Sequence, residues 1–163
     1  LELTETIILD DNKNAIEQLN RLKSFGFKLS LDDFGAGHSS LKGFFDLPLS
    51  QIKIDKSIAW RSLNNSATFE YLSFITKLCK SHNIDIVIEG IEDAEMQKIF
   101  IDMGASYLQG FWFSKPLSLA SACRYNKVWK PSVSKLRLTL ETLSSGLTNL
   151  VVSRRISPAD KIV

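Results

Sequence analysis

The sequence predicts an α/β fold of about five parallel strands with crossover helices, and three observations carry that prediction. Strand-like apolar runs alternate with segments of helical periodicity from Leu1 to Phe113, the order that a parallel sheet with covering helices requires. Residues 84–88 are apolar except for Asp85, as befits a strand covered on both faces. Each strand-like run also carries a polar or ionisable residue on it or just beyond it: Glu2, Asp32 with Asp33, Lys53, Glu89 and Gln109. Active sites gather at the carboxyl ends of strands in β/α barrels and in open parallel sheets alike. Five strands do not close an eight-stranded barrel, so the pattern admits an open sheet or a barrel whose first strands are missing.

The elements follow in order. The first strand lies within residues 1–6. Asp11 or Asn12 then caps a helix whose apolar positions Ile16, Leu19, Leu22 and Phe25 recur at helical spacing, and Gly26 ends it. Residues 27–31 form the second strand. Ser39 and Ser40 open a short helix through Leu41 and Phe44 that Pro48 terminates. A third strand follows at residues 52–54. The longest helix, residues 65–81, buries Phe69, Leu72, Ile75, Thr76 and Leu78 or Cys79, and leads into the strand at residues 84–88. Asp93 caps a helix through Met96, Ile99, Phe100 and Met103 that stops at Gly104, before a last strand around residues 107–113.

Composition excludes several classes of protein. The 163 residues are 44% hydrophobic and 23% charged, which suits one sizeable core. A formal charge of +2, with both signs interspersed, indicates no nucleic acid polymer and no anionic membrane as partner. No run approaches the length of a membrane-spanning helix, and no secretory leader opens the chain. Cys79 and Cys123 have no partners at metal-ligand spacing, so reduced thiols in a cytoplasmic protein are expected. The chain begins on Leu1 in a strand-like segment, which reads as a start in mid-fold.

The chemistry centres on Asp32 and Asp33. Adjacent carboxylates repel unless both are solvated or a cation lies between them, and a divalent metal is the natural candidate. Alone, such a pair also reads as a solvated turn or a helix cap. Four further segments in the same position on their strands point to one shared site: Leu1-Glu2-Leu3-Thr4-Glu5-Thr6, Gln51-Ile52-Lys53-Ile54-Asp55, Val87-Ile88-Glu89-Gly90-Ile91-Glu92 and Leu108-Gln109-Gly110-Phe111.

In this order, Glu2-Leu3-Thr4-Glu5, Asp32-Asp33-Phe34-Gly35-Ala36-Gly37, Lys53-Ile54-Asp55, Glu89-Gly90-Ile91-Glu92 and Gln109-Gly110-Phe111 closely resemble the later motifs of the EAL family, the cyclic di-GMP phosphodiesterases. The resemblance covers roughly residues 1–130. It implies a partial TIM-type barrel and two-metal hydrolysis of cyclic di-GMP to linear pGpG. By resemblance, Glu2, Asp32, Asp33 and Glu89 are carboxylate ligands of Mg²⁺ or Mn²⁺, with Asp32 shared between two ions. Lys53 contacts the hydrolytic water, and Gln109 and Glu92 line the same pocket. Glu5 steadies the loop of residues 34–40, which in the family links metal binding to the dimer interface.

Taken singly, these residues have plainer readings. Lys53 can snorkel from a strand end, Gln109 can satisfy backbone groups, and Glu92 can be an acid at a helix N-terminus.

Departures from the family pattern bound the expectation. The Glu-Ala-Leu motif, its nearby phosphate-binding arginine and the asparagine ligand are absent from these residues, so the site reads as half a site and the isolated chain is expected to be inactive. Ile91, Asp93 and the run Ser57-Ile58-Ala59-Trp60 also depart from the family's preference. The alternative is a degenerate or truncated EAL module with a binding or regulatory role, or with no activity. Expected partners are cyclic di-GMP and either a second copy, making a homo-oligomer, or a complementary EAL-domain chain. Residues 131–163 read as an appended tail, helical over 134–145 or poorly ordered.

Overall fold

The computed structural model describes residues 1–4, 13–36, 46–128, 137–139 and 151–155. The chain divides into two compact units, Leu1–Ile86 and Val87–Val163.

The first unit contains β1 (Glu2–Leu3), α1 (Lys13–Ser24), β2 (Ser30–Phe34), β3 (Gln51–Ile54), α2 (Lys56–Asn64), α3 (Ser66–Ser81) and the start of β4 (Asp85–Ile88). β1 pairs with β2 in parallel, and β2 with β3, with Leu3 opposite Leu31 and Leu31 opposite Ile52. The Asp85 N–H donates to the Ser50 carbonyl at 3.0 Å, tying the start of β4 to the start of β3. Leu29, Leu31, Phe34, Ile52, Ile54, Leu72 and Ile75 are buried and form the core of this unit.

The helix after β1 ends one residue before Phe25, the last of its apolar positions, with Gly26 as the expected stop. Leu19 is buried, but α1 stops at Ser24, and Gly26 turns the chain at φ 89°, which leaves Phe25 74% exposed. The sequence reading also missed α2. The Asp55 carboxylate accepts from the Ser57 N–H at 2.8 Å and caps the helix, whose Ala59 and Ser62 are buried. α3 follows the prediction closely: Asn65 caps it by accepting from the Thr68 N–H at 2.9 Å, and Leu72, Ile75, Thr76 and Cys79 form its buried row. Phe69 was expected in that row. It stays 37% exposed, because the buried row begins one turn later at Leu72. Cys79 is a free, buried thiol whose pKa burial pushes up to about 12.

The second unit continues β4 into α4 (Ala94–Met103), β5 (Tyr107–Gln109), α5 (Leu119–Val128), β6 (Arg137–Thr139) and β7 (Val151–Arg155). β4 and β5 are parallel, with Ile88 opposite Leu108. The Asp93 carboxylate accepts from the Met96 N–H at 2.8 Å, and Gly104 closes α4 in the left-handed conformation at φ 102°. Met96, Phe100 and Ile101 are its buried face. The last parallel strand ends at Gln109, not at Phe113, since Gly110 opens a turn in which its carbonyl accepts from the Phe113 N–H at 3.1 Å.

The tail departs from expectation. Residues 137–139, inside the expected helix, are a strand; β7 pairs antiparallel with β5 and β6 antiparallel with β7. The alternation of Leu136, Leu138 and Leu140 in the sequence has period two, and here it prevails over the helical spacing of the residues that follow. Among the described residues no helix is long and apolar enough to cross a membrane.

Candidate active site

The register of the first unit builds a polar cluster by simple alternation. Glu2 lies opposite Ser30, and Ser30 opposite Gln51. The Ser30 hydroxyl donates to Gln51 Oε1 at 3.2 Å, so these two side chains share a face. Two residues further on, Asp32 and Lys53 come to that same face, because strand side chains alternate. The Lys53 ammonium donates to Asp32 Oδ1 at 2.7 Å and lies 3.4 Å from Glu2 Oε1. Its side chain is 5% exposed. Lys53 therefore does not snorkel to water; it is held inside by carboxylates from β2, next to its own strand, and from β1 beyond it.

A bulge breaks the alternation at Asp33. Leu31 pairs with Ile52, yet the next pair is Phe34 with Ile54, so β2 takes three steps where β3 takes two. Asp33 adopts φ 53°, in the left-handed region that Asp and Asn enter more readily than most residues. A bulge re-aims side chains and leaves the strand to continue. The sequence reading placed this strand at residues 27–31; it lies instead at Ser30–Phe34, so the reorientation of Asp33 occurs inside the strand, and Phe34 returns to the core. Gly35 follows at φ 96°, where a Cβ would sit 2.7 Å from Ile58 Cγ1.

The electrostatics of this cluster are anionic. Asp33 is largely exposed, yet desolvation of its carboxyl first, and then the charges of Asp32 and Asp55, raise its pKa above the usual 3.8, while Lys53 opposes them. Glu2, Asp32 and Asp33 outnumber the one ammonium of Lys53 in this group of four. Hard oxygen donors with excess negative charge suit Mg²⁺ or Mn²⁺ and disfavour softer metals. The residues present fit such an ion.

The second unit places Glu89 just past β4 and Gln109 at the end of β5. Gln109 Nε2 donates to Glu89 Oε1 at 3.1 Å. The main chain fixes this pairing: the Ile91 N–H donates to the Gln109 carbonyl and the Trp112 N–H to the Ile91 carbonyl, both at 3.0 Å. The two segments approach so closely at Gly110 that a Cβ there would lie 2.0 Å from the Ile91 carbonyl oxygen. Trp112 Nε1 also donates to Gln97 Oε1 at 2.7 Å, tying the turn to α4. Sequence reasoning quoted Gly110 only as part of a motif and gave no role to Gln97 or Trp112. Glu92 is exposed and precedes Asp93, the residue that caps α4. Glu5 lies outside the described residues, as do residues 37–45 with the short helix expected there.

The EAL domain family model matches residues 1–116. The chain belongs to the EAL domain family. It is 34% identical over 116 residues to the cyclic di-GMP phosphodiesterase RocR of Pseudomonas aeruginosa, covering 71% of this chain and 30% of RocR. The EAL enzyme Bd1971 in its cAMP and cyclic-di-GMP bound form superposes with a TM-score of 0.71 at 36% identity, covering 76% of this chain and 33% of that one. Klebsiella pneumoniae BlrP1, in a manganese and cy-diGMP complex, gives 0.63 at 30% identity over 70% and 29% of the two chains. This EAL chain thus spans about a third of these relatives or less, and its parallel strands and helices are those of the EAL α/β fold.

Proposed function

We propose that this EAL chain carries the metal-holding and water-positioning portion of a cyclic di-GMP phosphodiesterase site, formed within residues 1–130, with residues 131–163 as an appendage. The observation that carries the reading is the Glu2–Lys53–Asp32 cluster beside Asp33 at the ends of adjacent parallel strands. Family membership supports the substrate. Glu2, Asp32, Asp33 and Glu89 would hold two Mg²⁺ or Mn²⁺ ions, Asp32 being the shared ligand by resemblance. When bound, such ions make a shared water more acidic and offset charge building on the phosphodiester oxygens. Lys53 orients that water, and Gln109 holds the Glu89 carboxylate in place through its 3.1 Å hydrogen bond. By resemblance, Glu92 lines the pocket. Water adds across one P–O bond of the cyclic dinucleotide, giving linear pGpG. The proposed setting is the cytoplasm, and the proposed assembly a homo-oligomer or a pairing with a complementary EAL chain.

Hydrolysis also requires the Glu-Ala-Leu glutamate, the phosphate-binding arginine and the asparagine ligand, which these 163 residues do not contain. The test is a chimera in which residues 1–116 replace the matching segment of RocR. Hydrolysis of cyclic di-GMP in Mn²⁺, abolished by Asp33→Asn, supports the reading. A folded chimera that binds the dinucleotide without cleaving it, while RocR cleaves it in parallel, favours a binding module instead.

A further inference from the structure

In the chain as described, Lys53 already does part of what a metal would do. Its ammonium is 2.7 Å from Asp32 and 3.4 Å from Glu2, two of the proposed metal ligands, and it is almost wholly buried between them. An ammonium in contact with a carboxylate occupies the same electrostatic position as a hard cation, and both draw on the same oxygen lone pairs. We propose that Lys53 is a built-in counter-cation that competes with the divalent ion for Asp32 and Glu2, so that metal loading must displace the ammonium from at least Asp32. This rests on the metal reading above, and it adds a role for Lys53 before any substrate is bound.

The physical argument is one of exchange. Without a cation, Glu2 and Asp32 would be partly buried anions side by side, with Asp33 adding its charge to theirs, a costly arrangement for a metal-free fold. Lys53 relieves that cost and keeps the carboxylates gathered. The same pairing must be broken when an ion takes up Asp32, so the affinity for the ion is lowered by the strength of the pair. A side chain held by two acids on neighbouring strands can swing from Asp32 to a bound water without leaving the site.

Calorimetric titration of the 163-residue protein with Mn²⁺ tests the exchange, comparing the parent with Lys53→Met and with Lys53→Arg, which keeps the charge. Lys53→Met is expected to bind Mn²⁺ about tenfold more tightly, an order of magnitude set by one partly buried charge pair. Lys53→Arg is expected to bind no more tightly than the parent. A dissociation constant within twofold of the parent for Lys53→Met overturns the proposal. Should that variant fail to fold, lysine-selective ¹⁵N labelling of the parent gives the second readout: the Lys53 Nζ signal is expected to move with Mg²⁺ in step with binding, and an unmoved signal at saturation overturns the proposal. Absence of saturable binding in the parent and in folded Lys53→Met, or binding that Asp32→Asn leaves unaltered, overturns the metal reading itself and the exchange with it.

Discussion

Asp33 is the residue at which local geometry and charge act together. Its left-handed backbone is one that Asp adopts at modest cost, while its carboxyl's placement near Asp32 and Asp55 is unfavourable without a cation. Asn tolerates the same φ and removes the repulsion, so Asp33→Asn is expected to raise the thermal midpoint of the protein in EDTA. The sign with pH follows from the raised pKa. A carboxyl whose folded pKa lies above the unfolded value adds stability below about 3.8 and loses it as pH rises through the folded value. The gap between variant and parent should therefore be largest at neutral pH and close as pH falls toward 3.8, as thermal scans in a pH series would show. Millimolar Mn²⁺ should reverse the order at neutral pH, because the parent gains stability by binding and the variant has lost a ligand. A midpoint for Asp33→Asn at or below the parent's in EDTA would show that the repulsion is not felt.

At the scale of the elements, two glycines test how tightly the site segments are packed. A Cβ at Gly110 would meet the Ile91 main chain, which cannot rotate away, so Gly110→Ala is expected to cost about 3 kcal/mol in denaturant unfolding and to disturb the Gln109–Glu89 pair. At Gly35 the obstacle is the Ile58 side chain. Gly35→Ala should cost about 1–2 kcal/mol for its positive φ and the contact, and Ile58→Ala in the same chain should recover part of that loss. Equal costs at the two glycines would mean that the Ile91 crossing yields.

What was legible in the sequence follows the same division. Short apolar runs and 3.6-residue spacing located β3, β4, α3 and α4, because burial enforces them, whereas β2 begins three residues later than its apolar run suggested. Asp93, Asn65 and Gly104 marked helix ends, because caps depend on residues close by in the chain. The bulge in β2 was not legible, since it is a mismatch between two strands and appears only when Phe34 is seen opposite Ile54. The burial of Lys53 was hidden for a similar reason: a lysine at a strand end reads as solvated until the carboxylates beside it are known. α2 left a readable signal in Asp55 and Ser57, an Asp two residues before a hydroxyl at a helix entrance, and it was passed over.

Over the whole molecule, the apolar surface that remains outside matters most for assembly. Phe74 is 55% exposed on α3, with Phe69 and Tyr71 on the same helix and Trp60 on α2 also partly open to solvent. Large exposed aromatics of this kind favour association. Light scattering coupled to gel filtration is expected to show a concentration-dependent oligomer, and Phe74→Ser is expected to shift it toward monomer with little change in thermal midpoint. A parent that stays monomeric at every concentration would remove the homo-oligomer from the assembly proposal.

The strand pair at the end of the chain has one more consequence. β7 joins β5 through the main chain, with Leu108 opposite Arg154 and Gln109 opposite Ser153. Pairing of that kind asks a segment for extended backbone and very little for identity of side chain. Such a segment can drift in sequence at almost no cost to its task. The family model matches residues 1–116 while the sheet continues through residues 151–155: the last strand is held by its main chain, where side-chain identity carries least information.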